Sequence, residues 1–188
     1  MNKIQIHSRN IYILKAVKAI IDYAFSVNTF CSEKVIFVFD GPCISYSEIV
    51  ELRQCASTNI LIIGRRKIIQ LIENALHSTR YQYCSLDNDI LSIFSEIKTF
   101  INTNTSILIG ETIQKPVNKL TARESNMLNL FTSGVSVTTI SKSMSIPLKK
   151  VYAIKRVAYK KIGISSDAQL INHKEIIIKI IMQGAKTL

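Results

Sequence analysis

Cationic side chains are concentrated in one short segment of the last third of the chain, residues 148–162 (LKKVYAIKRVAYKKI). This segment has no acidic residue, and its cations are Lys149, Lys150, Lys155, Arg156, Lys160 and Lys161. Lys and Arg side chains bind phosphate oxygens, and their charge supplies the non-specific affinity of proteins for nucleic acids. The segment therefore predicts a phosphate-binding surface. The alternative is a solvated helix face, but such faces normally mix both signs of charge for i, i+4 pairing.

Upstream of this segment, two capping signals predict a first helix. Thr121 precedes an apolar run and is followed three residues later by Glu124, the reciprocal arrangement that caps a helix start. We expect the helix to begin near Ala122. Gly134 supplies the positive-φ residue with which such a helix commonly ends.

Two further helices are predicted before and within the cationic segment. Ser136 is placed to cap a short helix over 137–144, and the fixed φ of Pro147 suits the opening of a third helix over 148–162. The spacing of apolar residues predicts the buried sides of both helices. These residues are Val137, Ile140 and Met144 in the second helix, and Val151, Ile154, Ala158 and Ile162 in the third. Tyr152 and Tyr159 fall among the cations on the opposite side.

Specific motifs accompany these helices. They are L-T-x-R-E from Leu120, a Gly ten residues after Glu124, I-S at Ile140, K-K-V at Lys149 and K-K-I-G-I at Lys160. Together they resemble the DNA-binding domain of the LuxR/FixJ-type (NarL-like) family, and the string E-S-N-M-L is especially similar to capsule co-activators of enterobacteria. The resemblance implies a bacterial transcription regulator with a four-helix helix-turn-helix module, in which the recognition helix enters the major groove of DNA.

The resemblance also assigns roles to individual residues. It places the helix-turn-helix motif at 137–156, with Tyr152, Ala153 and Arg156 facing base edges. It implies phosphate contacts for Thr138, Lys149, Lys150 and Lys155, and Lys160 lies on the same cationic side. Arg156 is the leading specificity residue, because a guanidinium can bridge guanine O6 and N7. The family usually has Thr at position 150, Lys at 152 and often His at 154, where this chain has Lys150, Tyr152 and Ile154. These differences bear on which operator sequence the protein would bind.

The first half of the chain alternates strand-like and helix-like segments. Predicted strands cover 3–7, 35–39, 60–63 and 81–84, and predicted helices cover 11–24, 47–56, 67–77 and 87–102. Such alternation predicts a parallel sheet with flanking helices. An α/β domain before a LuxR-type module resembles a receiver, here with an edge shortened after Asp22. We expect a receiver-like domain over 1–102, a linker over 103–119 that includes the apolar Ile107–Ile109, and the DNA-binding domain over 120–188.

The receiver resemblance implies a phosphorylation site that this chain largely lacks. Ser8 and Arg9 stand where an acidic pair should bind Mg²⁺, and Gly64 stands where a hydroxyl residue should follow a strand. Asp40 occupies the phosphoacceptor-like position, although a turn residue before Gly41 is the preferred interpretation. We therefore expect a pseudo-receiver that acts without phosphorylation, with no metal and no cofactor.

Composition limits the function classes. Residues 1–119 hold 13 Lys+Arg and 10 Asp+Glu, whereas residues 120–188 hold 11 and 3, so the positive charge is concentrated where the motif lies. No uncharged apolar run approaches the roughly 18 residues that a membrane span needs. The N-terminus lacks a contiguous apolar h-region, so we expect a cytoplasmic protein. The four cysteines contain no CxxC pair and are expected to be reduced structural thiols.

The leading hypothesis is a transcriptional regulator that binds double-stranded DNA as a homodimer or as a heterodimer with a receiver-bearing regulator. An interaction inhibitor that titrates a related regulator and binds DNA non-specifically is the alternative. An acyl-homoserine-lactone sensor is disfavoured because the chain has no Trp. An enzyme is not expected, since no nucleophile–base pair or phosphate-binding Gly loop is visible. The last apolar segment, with Ile176, Ile177, Ile180 and Ile181, is expected to extend the final helix and pack in the core, a dimer seam being the alternative.

Overall fold

The computed structural model describes residues 4–24, 33–76, 81–103 and 120–185. The predicted linker beyond residue 103, its Ile107–Ile109 segment, Cys31 and His77 lie outside the described residues. Within them the chain forms β1 (Ile4–Ser8), α1 (Ile11–Ala24), β2 (Lys34–Phe39), α2 (Tyr46–Gln54), β3 (Asn59–Gly64), α3 (Arg66–Leu76), β4 (Tyr81–Ser85), α4 (Ile90–Asn102), α5 (Ala122–Thr132), α6 (Val137–Ser143), α7 (Leu148–Ile162), α8 (Asp167–Asn172) and α9 (Lys174–Ala185).

The four strands form one parallel sheet in the order β1-β2-β3-β4. Ile6 is in register with Ile36, Ile36 with Leu61, and Leu61 with Gln82. β1 pairs directly with β2, as expected for an edge shortened after Asp22. The prediction of an α/β half followed by a helical half is confirmed.

Helices α1 and α4 pack together on one face of the sheet. Their buried residues meet those of the strands in one apolar core, formed by Val17, Ile21, Ile36, Val38, Leu61, Ile63, Cys84, Ile97, Phe100 and Ile101. The alternate strand residues Val35, Phe37, Ile60 and Ile62 are buried as well. Burial on both faces explains why β2 and β3 are continuous apolar runs and not alternating ones.

The start of α4 differs from the predicted residue 87. Asp89 is the N-cap, and its carboxylate accepts hydrogen bonds from the backbone N and the hydroxyl of Ser92, at 2.9 and 2.6 Å. The carboxylate of Asp87 instead accepts from the backbone N of Arg66, at the start of α3. Two closely spaced Asp residues therefore cap two different helices. Helix periodicity alone could not tell which of them begins α4.

The chain divides into two compact units. The first contains the sheet with α1 and α4, and comprises Met1–Pro42, Gln54–Ile69 and His77–Ile113. The second contains α5 to α9 together with Cys43–Arg53 and Gln70–Leu76. In the part of the chain that the structure describes, no helix is both long and apolar enough to cross a membrane.

Lys34, at the start of β2, is a buried cation in the first unit. Its side chain is 1% exposed, and its Nζ donates to the carbonyl oxygens of Phe100, Ile101 and Thr103 at 2.7, 2.6 and 2.8 Å. These carbonyls belong to the C-terminal turn of α4, where the helix dipole favours a cation. Burial lowers the pKa of Lys34 to about 8, so the side chain is mostly protonated at neutral pH and can use all three N–H groups.

Replacing Lys34 with Met should lower the free energy of unfolding by ~1–3 kcal/mol, because the three carbonyl oxygens lose their donor while the apolar stem is kept. Urea denaturation of the full chain measures this change. Lys98→Met on the exposed side of α4 is the matched control, with an expected change within about 0.5 kcal/mol. Equal effects of the two substitutions would contradict a capping role for Lys34.

Candidate nucleic-acid interface

The predicted capping box begins α5 and is confirmed. Thr121 Oγ1 accepts a hydrogen bond from Glu124 N at 3.2 Å, and Glu124 Oε2 accepts from Thr121 N at 2.7 Å. The same carboxylate oxygen also accepts from Lys161 Nζ at 2.7 Å. Burial disfavours the charged form of Glu124, but the hydrogen bonds from Lys161 and Thr121 outweigh it and lower its pKa. Glu124 thus joins the start of α5 to the end of α7.

The turns on either side of α6 set the angle between helices. Gly134 has φ +80°, as predicted, and Ser136 caps α6 by accepting from Thr139 N at 3.1 Å. Before α7, Ser145 has φ +51°, and Ser141 Oγ donates to the carbonyl of Ile146 at 2.6 Å.

The predicted inward residues of α6 and α7 are only partly confirmed. Ile140, Val151, Ala158 and Ile162 are buried. Val137, Met144 and Ile154, which were also predicted to face inward, are half-exposed. α6 is short and contributes one fully buried side chain, so its neighbours at the helix ends stay near the surface.

One side of α7 forms an exposed cationic stripe. Lys149, Ala153, Arg156 and Lys160 follow one another at helical spacings and are all exposed. Lys150, Tyr152 and Thr138, the other predicted contacts on α6 and α7, are exposed too, with Tyr152 at 58%. The opposite side of α7 is buried against α5 and α6. The structure therefore brings seven of the eight predicted contact residues to the surface of one helix-turn-helix.

Lys155 differs from the other predicted contacts. Its Nζ lies 2.7 and 2.9 Å from the two carboxylate oxygens of Asp167 and 4.6 Å from the centroid of the Phe131 ring. Tyr159 Oη donates to the same carboxylate at 2.8 Å, and Tyr159 is buried, so its predicted place on the cationic side was wrong. The hydrogen bond from Lys155 is the main cause of the lowered pKa of Asp167, with that from Tyr159 adding to it.

Sequence reasoning missed Asp167 as the partner of Lys155. The available signal was the one-turn spacing of Lys155 and Tyr159, which places two donors together on α7. Asp167 lies beyond the turn at Gly163, whose left-handed φ of +87° ends α7. Its approach to α7 depends on that turn, so helix periodicity could not predict it.

The final helix is broken, in contrast to the predicted continuous one. α8 ends at Asn172 with the buried His173 as its C-cap, and α9 starts at Lys174. His173 Nδ1 donates to the carbonyl of Gln169 at 2.8 Å, and Nε2 accepts from Ile44 N at 3.2 Å. Burial lowers the pKa of His173, although its hydrogen bond to Gln169 acts in the opposite direction. Beyond the break, the predicted core packing of Ile176, Ile177 and Ile180 is confirmed, since all three are buried. Ile181, the fourth residue of that prediction, is only partly buried.

The end of α7 has hydrogen-bond partners on α3 within the second unit. Gln70 Nε2 donates to the carbonyls of Lys160 and Lys161, at 2.9 Å each, and Asn74 Nδ2 donates to that of Lys161 at 3.1 Å. These are among the last carbonyls of α7, which have no partner inside the helix. No sequence motif indicated this contact.

The receiver-like edge of the sheet has Asp40 directly after β2. Asp40 Oδ2 accepts a hydrogen bond from Asn10 Nδ2 at 2.8 Å, while Asn10 Oδ1 accepts from Tyr12 N at the start of α1. A Cβ atom on Gly64 would lie 3.2 Å from the carbonyl oxygen of Phe39, so the position where a receiver carries a hydroxyl residue is closely approached by β2. Among the described residues, no three His, Cys, Asp or Glu side chains are grouped to hold a metal ion.

Comparison with known proteins supports the helix-turn-helix assignment. A model of the family of bacterial regulatory proteins, luxR family, matches residues 118–173. No curated protein matches the chain.

Several solved structures share the fold. Two RcsB dimers bound to two parallel DNAs give a TM-score of 0.55 at 17% identity, covering 94% of this chain and 99% of that chain. The two-component response regulator RcsB in complex with DNA gives 0.53 at 17%, covering 94% and 98%. RcsB from Salmonella enterica serovar Typhimurium, bound to promoter P1flhDC in the presence of the phosphomimetic BeF3-, gives 0.54 at 16%, also covering 94% and 98%.

Acid should weaken the helical unit through Glu124. Because folding lowers its pKa, its stabilising contribution is complete above the unfolded value of about 4.5 and is lost as pH falls through the folded value. Glu124→Gln keeps an acceptor for Thr121 N but removes the charge. Thermal melts between pH ~7 and ~3 should show a smaller loss of stability for the variant than for the wild type. Glu175→Gln, at an exposed position of α9, is the control and should follow the wild type.

Proposed function

Residues 118–173 are a LuxR-type helix-turn-helix domain, and on this basis we propose that the chain is a bacterial transcriptional regulator that binds specific DNA sites. In the proposal, α7 enters the major groove and α6 crosses the phosphate backbone. A protein of this kind acts in the cytoplasm, where the bacterial chromosome lies.

The observation that carries the proposal is the exposed stripe on α7. Its cations and small Ala153 point away from the core, so the helix backbone can approach base edges closely. We assign Arg156, Ala153 and Tyr152 to base edges and Thr138, Lys149, Lys150 and Lys160 to phosphates. Lys155 is left out of the phosphate set, because Asp167 and the ring of Phe131 bind its ammonium group.

The proposed regulator acts as a dimer. A single module reads too few base pairs for useful selectivity, whereas two modules on adjacent half-sites add their binding free energies. Similar solved structures support this arrangement, since they include RcsB dimers bound to DNA and an RcsB–DNA complex. The partner is a second copy or a receiver-bearing regulator.

The proposed receiver-like half does not use aspartyl phosphorylation. The carboxylate of Asp40 accepts a hydrogen bond from the Asn10 amide, and residues 8 and 9 at the end of β1 are Ser and Arg instead of acidic ligands. A positive charge at that position disfavours Mg²⁺, which takes its ligands from carboxylate oxygens. Association with its partner, and not phosphate transfer, is then the role of this half.

An interaction inhibitor is the second candidate. The neutralisation of Lys155 by Asp167 favours it, because the interface loses one of its predicted phosphate contacts. Such a protein would bind DNA in a salt-sensitive manner with no site preference, whereas a regulator prefers its site by about 10³-fold or more.

The test of the regulator is genome-wide DNA occupancy in the native cell for the wild type and for Arg156→Ala. We expect discrete sites for the wild type and their loss in the variant, with a cost of ~1–3 kcal/mol for binding to an isolated site in vitro. Arg123→Ala, an exposed Arg on α5, is the matched control and should keep the sites. Diffuse occupancy by a folded wild-type protein would favour the inhibitor.

Phosphorylation independence has its own test. Asp40→Asn keeps an oxygen for the Asn10 amide but cannot accept a phosphoryl group. We expect unchanged affinity for the operator, and no mass increase when the wild type is incubated with acetyl phosphate and Mg²⁺. A mass increase that Asp40→Asn abolishes would show that the site is a working phosphoacceptor.

A further inference from the structure

Helix α1 carries an exposed stripe of residues whose spacing is symmetric about the middle of the stripe. Tyr12, Ala16, Ala19 and Tyr23 are separated by four, three and four residues, so they lie on one side of the helix. All four are exposed, with Tyr12 at 79% and Tyr23 at 73%. The opposite side of α1 is packed in the sheet core.

Two large aromatic residues around two small ones are a favourable composition for helix pairing. Tyr is enriched among residues that dominate interface energies, and Ala lets two helices approach closely. From this stripe we infer that α1 pairs in antiparallel orientation with α1 of a second copy of the chain. The inference rests on the proposed dimeric regulator and specifies its partner and surface.

The spacing makes the stripe complementary to itself. A two-fold axis at the midpoint between Ala16 and Ala19 places each Tyr12 opposite Tyr23 of the second copy. The same axis places each Ala16 opposite Ala19 of the second copy. The aromatic pairs then lie at the two ends of the contact and the small residues at its centre.

Charge also favours a second copy. Lys15 and Asp22 are exposed on the same flank of the stripe, two helical turns apart. With a rise of about 1.5 Å per residue, the two-fold axis brings Asp22 to within about 3 Å, along the helix axis, of Lys15 of the second copy. Each dimer therefore contains this opposite-charge pair twice, and like charges do not face each other there.

The expected contact is weak when DNA is absent. One pair of short helices buries much less than the ~1,600 Å² of a standard interface. Two DNA-binding modules held on adjacent half-sites raise the effective concentration of one α1 near the other. The pairing would therefore act mainly as a source of cooperativity on DNA.

A charge-exchange experiment on the full chain tests the inference. Sedimentation over a concentration series compares the wild type with Lys15→Glu, Asp22→Lys and the double variant. Each single substitution should weaken self-association on the order of tenfold, because both symmetric contacts become repulsive. The double variant should return to within about threefold of the wild type, because both pairs are restored with reversed sign. Lys98→Glu makes the same charge change on α4 and should leave self-association unchanged.

Each other outcome contradicts the pairing. A wild type that stays monomeric at all concentrations, or single variants that match it, would show that α1 does not pair. A double variant as weak as the single ones would show that Lys15 and Asp22 do not face each other between the two copies, which contradicts the antiparallel pairing. Affinity for a single DNA half-site, which binds one module, is measured on the same samples and should be equal in all of them. A wild type without site preference would contradict the proposed function while leaving the sedimentation result to decide the pairing.

Discussion

Two carboxylates allow the cationic helix α7 to pack its apolar side in the helical unit. Glu124 binds Lys161 and Asp167 binds Lys155, and both lysines lie on the side of α7 that packs in the helical unit. The remaining cations of the helix, Lys149, Lys150, Arg156 and Lys160, are exposed. The apolar residues Val151, Ala158 and Ile162 set which side of α7 is buried. The two carboxylates neutralise the lysines that border that side, so that the helix can be buried there without leaving a cation unpaired.

Each carboxylate is itself held in place by a second structural role. Glu124 completes the capping box of α5, and Asp167 accepts from Tyr159 in the first turn of α8. Because the oxygens are already oriented, the lysines lose less entropy on binding than in an isolated surface pair. The two carboxylates differ in exposure, since the Asp167 side chain is 67% exposed and the Glu124 side chain is 10% exposed. The Glu124 pair is therefore the less screened by salt.

Local patterns predicted the parts of the fold that depend on neighbouring residues. The α1 limits, the capping box of Thr121, the turn at Gly134 and the span of α7 all follow from caps and periodicity within a few residues. The predictions were wrong where a side chain's position depends on a contact with a residue outside its own helix. Tyr159 turned inward because of Asp167, and the last helix broke at His173, whose ring binds both Gln169 and Ile44. Such contacts depend on tertiary geometry that no spacing rule contains.

The same distinction applies to the sheet unit. The sequence has Ser8 and Arg9 at the end of β1, but its spacing did not predict that the Asn10 amide would donate to the carboxylate of Asp40. An amide donor satisfies one carboxylate oxygen without adding charge, and the other end of the same amide caps α1. The Asn10 side chain thus binds Asp40 and also fixes the start of the helix that bears the Tyr12 stripe. Asn10 therefore connects the carboxylate to which our proposal gives no phosphorylation role with the helix on which the proposed pairing lies.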